Sequence, residues 1–147
     1  MTAPQPRSEI AGEGRDDAAR IFRQLEICAG HGDITAAVYD QFFAIRPEAE
    51  AMFGAGSEAG EVTKGRMLAY VIDVVVDQAS GQSYMPELLR SVREDHAGYG
   101  AIDLGFYADF LTALADVVRS VLGPKWQKSD AAAWDRLRTQ LLAGLAE

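Results

Sequence analysis

Apolar side chains recur every three or four residues from residue 16 to the end of the chain, and this period most constrains the fold. One such stripe is formed by Thr63, Met67, Val71 and Val74. The spacing matches the 3.6-residue turn of an α-helix rather than the two-residue repeat of a strand. The three valines at 74–76 would suit a strand alone, but they lie inside this longer helical pattern. No hairpin or strand–helix–strand pattern occurs, so the sequence predicts an all-α protein.

Glycine and proline divide this pattern into about seven helices of unequal length. We expect helices over about 16–29, 34–45, 47–53, 60–78, 86–97, 102–122 and 129–147. Asp33 and Ser129 are the expected caps of the second and last helices, because short polar side chains accept the first backbone N–H groups. Gly98, Gly123 and the residues near them end helices. Unequal helices favour a packed all-α domain over a simple four-helix bundle.

The chain has 147 residues, which suits a single domain. The segment 1–15 is polar and holds two prolines and two glycines, so we expect a flexible N-terminal arm before a domain at 16–147. That segment lacks the apolar core of a signal peptide, and no stretch of the chain is apolar enough to span a bilayer. The one cysteine, Cys28, cannot form an internal disulfide and lies among apolar helical residues. A buried thiol and a cytoplasmic location are therefore expected.

The formal net charge of −8 disfavours nucleic acid and anionic membranes as partners. Known catalytic spacings are also missing from the sequence. It has no CxxC, CxxCH or HExxH motif, which argues against a zinc site and a covalently attached haem. The glycines at 98 and 100 are too few for a phosphate-binding loop.

The chain contains two histidines, and they differ in their setting. His31 lies between two glycines at a helix end, where a solvated imidazole interacts favourably with the helix dipole. His96 follows Leu89 and Val92 on one helical face. An imidazole on an apolar face needs partners for its nitrogens, so it is either a hydrogen-bonded core residue or a metal or haem ligand. The spacing alone favours a hydrogen-bonded core histidine, with Glu94 or Asp95 as a nearby acceptor.

From Ile27 to the C-terminus the sequence resembles bacterial single-domain globins and the haem domain of flavohaemoglobins. The resemblance rests on ITAAVYDQFFAIRPEAEAMF from Ile34 to Phe53, on HAGYG at 96–100, on SVLG at 120–123 and on AAAW at 131–134. It implies a globin-like fold around a pocket for haem b, iron protoporphyrin IX, with His96 as the proximal iron ligand. The other residues that it places at the haem are Tyr39, Phe43, Phe53, Thr63, Arg66, Met67, Leu89, Val92 and Phe106.

The resemblance also assigns roles within that pocket. Tyr39 would direct its hydroxyl towards a bound gas, and Phe53 would pack on the haem face. Either Thr63 or Lys64 would take the position that is usually histidine or glutamine. Arg66 would reach a haem propionate or swing inward. Phe106 stands where many relatives have tyrosine, which argues against peroxidase-like chemistry.

The function implied is reversible binding of dioxygen, carbon monoxide or nitric oxide by a monomer or homodimer. Two alternatives remain open at this stage. One is nitric oxide dioxygenation or peroxidase-like chemistry supported by a separate reductase, because no flavin or nicotinamide domain follows the globin segment. The other is a globin-like sensor that signals through a partner protein.

Overall fold

The computed structural model describes residues 7–54, 56–98 and 102–146, with side chains from residue 16 onward. Within these ranges the chain forms six α-helices, two short 3-10 helices and no strand. The helices are α1 (Arg7–His31), α2 (Thr35–Ile45), α3 (Glu58–Ala79), α4 (Met85–Ala97), α5 (Leu104–Leu122) and α6 (Lys128–Ala146). The 3-10 helices are Pro47–Phe53 and Gly123–Lys125. The predicted all-α fold is confirmed.

The first helix begins earlier than the sequence pattern predicts. It starts at Arg7 instead of residue 16, so residues 7–15 of the expected arm are helical. These residues carry no apolar stripe, but adding a turn to an existing helix is far easier than nucleating a new one. Residues 1–6 of the expected arm lie outside the described residues.

Short polar side chains fix the starts of α6 and α3, and at α6 the side chain is not the predicted Ser129. The last helix begins at Lys128, so Ser129 lies inside its first turn. The Gln127 N–H donates instead to Asp130 Oδ2 at 2.7 Å. Helix α3 begins at Glu58, and the Ser57 hydroxyl caps it by accepting the Gly60 N–H at 3.0 Å. In both cases a short polar side chain satisfies a donor that the helix itself cannot.

The helices pack around one apolar core. Helix α2 lies on α5, α4 lies on α6, and α1 crosses α3, α5 and α6. The largest fully buried side chains are Tyr39, Ile21, Leu114, Leu141, Val38, Val75, Val118 and Cys28. Burial raises the pKa of the Cys28 thiol, as expected for a small core residue.

A buried polar network fixes α1 against α6. The Gln24 side chain donates to Asp130 Oδ1 at 2.9 Å and accepts the Trp134 indole N–H at 2.7 Å. Arg20 donates to the same Asp130 oxygen at 2.7 Å. Such a network stabilises a core only when its members are all paired, and no buried side-chain N or O atom in the described part of the chain lacks a partner.

Candidate functional site

A cavity of about 700 Å³ lies between α3, α4, α5 and α6, and its wall also includes Phe42 of α2 and part of the first 3-10 helix. This volume falls in the usual range for ligand and cofactor sites. Its walls are mostly apolar and include Phe53, Met67, Val71, Leu89, Val92, Ile102, Phe106, Phe110 and Leu141. The polar side chains that line it are Thr63, Arg66, Tyr70, Asp95, His96 and Tyr107. An apolar cavity with a few polar groups is the usual form of a site that holds a flat organic cofactor.

His96 lies in the last turn of α4 and lines this cavity. Its Nδ1 atom is 2.7 Å from the carbonyl oxygen of Val92, one turn earlier. Because a carbonyl oxygen only accepts, Nδ1 carries a proton in this contact. In the neutral tautomer with this proton, the lone pair is on Nε2, which is then the atom that can bind a metal. The acceptor of the Nδ1 proton is therefore a backbone carbonyl and not the carboxylate of Glu94 or Asp95.

Tyr107 is an aromatic residue that packs against His96. The two ring centroids are 5.5 Å apart and the rings meet edge to face. The family resemblance predicts that the preceding residue, Phe106, is the aromatic side chain of this helix at the haem. Both residues line the cavity, but Phe106 interacts with an arginine instead. Consecutive helical residues point about 100° apart, so the rotation of α5 about its own axis decides which of the two meets the histidine.

Arg46 supports the Phe106 side of the cavity from outside. Its guanidinium carbon lies 4.0 Å from the centre of the Phe106 ring. Its Nε donates to Asp109 Oδ2 at 2.8 Å, and this hydrogen bond raises the pKa of the arginine. A planar cation held by a carboxylate and stacked on a ring orients that ring. Arg46 thus joins the end of α2 to the first turns of α5 at the cavity wall.

On α3, the structure separates the two candidates for the same position. Thr63 lines the cavity, and its hydroxyl donates to the Ala59 carbonyl at 3.0 Å. Lys64 is not among the lining residues, and its ammonium pairs with Glu61 at 2.9 Å. Arg66 and Met67 line the cavity one turn further along. Thr63 is therefore the better placed of the two candidates.

Two of the expected site residues lie behind the cavity wall. Tyr39 and Phe43 on α2 are not among the lining residues. Tyr39 is 1% exposed, and its hydroxyl donates to the Lys64 carbonyl at 3.0 Å. Its ring meets the edge of Phe53 at a centroid distance of 5.1 Å. Direct contact of Tyr39 or Phe43 with a cofactor stays a prediction, whereas Phe53, Leu89 and Val92 reach the cavity.

Three of the polar lining residues were not predicted from the sequence, namely Tyr70, Asp95 and Tyr107. Tyr70 follows Thr63 by seven residues and Met67 by three, so helical spacing placed it on the same face of α3. Burial, together with the charge of Asp95, raises the pKa of the Tyr70 phenol. Tyr70 on α3 and Asp95 on α4 are both exposed, so they lie where the cavity opens to solvent.

The residues present suit iron in a macrocycle rather than a metal held by protein alone. In the part of the chain that the structure describes, no group of three His, Cys, Asp or Glu side chains could hold a metal ion. A single imidazole beside an apolar cavity suits a haem iron, because the macrocycle supplies most of the other ligands. The fold and the site thus define an all-α protein with one imidazole facing a cofactor-sized apolar cavity.

Comparison with known families gives the same class. The sequence profile described as Globin matches residues 36–145, about three quarters of the chain. The protein therefore belongs to the globin family, whose members in general bind haem. No curated protein matches the sequence. In the described residues no helix is both long and apolar enough to cross a membrane.

Proposed function

We propose that the cavity holds haem b with His96 Nε2 as the axial iron ligand, and that the protein reversibly binds dioxygen or another diatomic gas. The observation that carries the proposal is the position of His96, which lines the cavity with its Nδ1 proton bonded to the Val92 carbonyl. That bond presents the Nε2 lone pair and prevents ring rotation.

Each of the surrounding residues has a physical task in this proposal. Haem, when bound, supplies an iron with one position open to a gas. The Val92 carbonyl strengthens the imidazole as a donor, since it draws the Nδ1 proton towards itself. Phe53, Met67 and Phe106 provide apolar surface that excludes water from the iron.

Charge at the mouth favours one orientation of the cofactor. Arg66 and Asp95 are the oppositely charged side chains among the described lining residues. Arg66 is exposed on α3 and provides the positive charge for a haem carboxylate. Asp95 would repel a carboxylate, so we expect both haem carboxylates to lie on the Arg66 side.

Titration of the haem-free protein with haemin tests the proposal. We expect saturation at about one haem per chain, as for a single specific site. A sharp Soret band should follow, with distinct ferric, ferrous and carbon monoxide spectra. Dioxygen should bind the ferrous form and leave it again on exposure to vacuum. If the absorption spectrum remains that of free haemin throughout the titration, the proposal of haem binding is wrong. Irreversible oxidation at the first exposure to dioxygen contradicts the gas-binding role.

A further inference from the structure

The hydroxyl of Tyr39 is occupied by the backbone of α3. Tyr39 lies in the middle of α2 and is 1% exposed. Its hydroxyl donates to the carbonyl oxygen of Lys64 at 3.0 Å. Because that oxygen only accepts, the single hydroxyl proton is used in this bond. Burial raises the pKa of the phenol, so the proton stays on the oxygen at neutral pH.

Lys64 holds the same tyrosine from a second direction. Its ammonium nitrogen lies 5.8 Å from the centre of the Tyr39 ring and 5.6 Å from that of Phe43. The ion pair with Glu61, at 2.9 Å, keeps the ammonium in this place, and the Lys64 side chain is only 15% exposed. A cation within about 6 Å of a ring face is attracted to it. Lys64 therefore holds Tyr39 by its backbone oxygen and by its side chain.

The ring of Tyr39 also packs against side chains of the cavity wall. Its centroid is 5.1 Å from that of Phe53 and 5.4 Å from that of Phe110, in edge-to-face contacts. Both phenylalanines line the cavity, whereas Tyr39 does not. A shift of the tyrosine would thus move two lining rings and the turn of α3 that carries Thr63 and Met67.

We propose that Tyr39 is a positioning residue that fastens α3 to α2 and so sets the wall of the gas site, with its hydroxyl on the Lys64 carbonyl in the gas-loaded protein as well. This differs from the role that the family resemblance implies, in which the hydroxyl faces the gas. The claim about the gas-loaded protein rests on the proposed function. The claim that Tyr39 fastens α3 to α2 in the haem-free protein does not.

Tyr39→Phe tests the proposal, because it removes the hydroxyl and keeps the ring. Loss of a buried hydrogen bond is expected to raise the unfolding equilibrium constant of the haem-free protein about fivefold. We expect the same change in the carbon monoxide-loaded protein, with an unchanged carbon monoxide stretching frequency and unchanged dioxygen release. The matched control is Tyr84→Phe, which removes an exposed hydroxyl outside the cavity, one that hydrogen-bonds to Asp77.

The opposite pattern overturns the proposal. A hydroxyl that donates to the gas would, when removed, shift the stretching frequency and speed dioxygen release about tenfold or more. An unfolding constant of the haem-free variant equal to that of the parent would also overturn it. Site-specific incorporation of 3-fluorotyrosine at position 39 alone provides a second test, because it keeps the ring, makes this hydroxyl a stronger donor and leaves the lining residues Tyr70 and Tyr107 unchanged. Slower dioxygen release would contradict the proposal, and an unchanged rate would support it. Failure to bind haem at all would contradict the proposed function and leave the unfolding measurement of the haem-free protein valid.

Discussion

Two glycines on α3 should respond in opposite directions to substitution by alanine. A Cβ atom on Gly60 would collide with the Phe53 carbonyl oxygen, whereas a Cβ atom on Gly65 would meet nothing within 4 Å. Gly60 is buried in the first turn of the helix, and its absence of a side chain allows α3 to approach the 3-10 helix that ends at Phe53. The two positions differ chiefly in this contact.

The expected magnitudes follow from that difference. Alanine in place of glycine within a helix stabilises by about 1 kcal/mol, because the unfolded chain loses freedom. Gly65→Ala should show this gain. At Gly60 the clash falls on a backbone oxygen, which cannot rotate away, and overpacking of this kind costs about 3 kcal/mol. Because the helix gain of about 1 kcal/mol offsets part of this cost, Gly60→Ala should lower the free energy of unfolding by about 2 kcal/mol.

Urea unfolding of the haem-free variants, followed by circular dichroism, measures both free energies. The reasoning requires a lower midpoint for Gly60→Ala and a higher one for Gly65→Ala, with similar slopes. Equal stabilisation by both substitutions would refute the close approach of α3 to Phe53. Gly60→Ala should also weaken haem binding, because Phe53 lines the cavity. Gly65→Ala should leave haem binding unchanged.

Three further outcomes are expected. Gln24→Leu removes the acceptor of the Trp134 indole N–H and one donor to the Asp130 carboxylate inside the core. The free energy of unfolding in urea should fall by about 3 kcal/mol. A much smaller loss would show that the network is not needed for stability. Arg46→Met removes the cation stacked on Phe106 and should speed haem loss to an acceptor protein without altering the iron–imidazole vibration. Cys28 should react with a thiol reagent only as fast as the native protein opens, since the thiol is buried and out of reach of the reagent; labelling at the rate of the unfolded chain would contradict its burial.

The sequence predicted those parts of the fold and site that depend on helical period. Apolar stripes identified the helices, and the spacing of Leu89, Val92 and His96 placed all three on one face of α4, where the structure has them at the cavity. The same reasoning could have found Tyr70, which shares a face of α3 with Met67. These predictions hold because helix geometry fixes which residues share a face.

Other features depend on how helices are placed relative to one another, which the period does not determine. Whether Phe106 or Tyr107 meets His96 depends on the rotation of α5 after its connection to α4. The position of Tyr39 behind the wall depends on how closely α2 approaches the Lys64 carbonyl. A periodic pattern identifies a buried residue, but it does not tell which neighbour accepts the hydrogen bond of that residue.

Imidazole rescue of a cavity variant tests the central claim most directly. His96→Gly removes the proposed ligand and leaves space for a free imidazole, and His31→Gly is the matched control at an exposed helix end. In the resonance Raman spectrum of the ferrous haem-loaded protein, we expect the iron–imidazole band to vanish in His96→Gly and to return when imidazole is added. The band should persist in His31→Gly. An iron–imidazole band that persists in His96→Gly without added imidazole would contradict the assignment of His96 as the haem ligand.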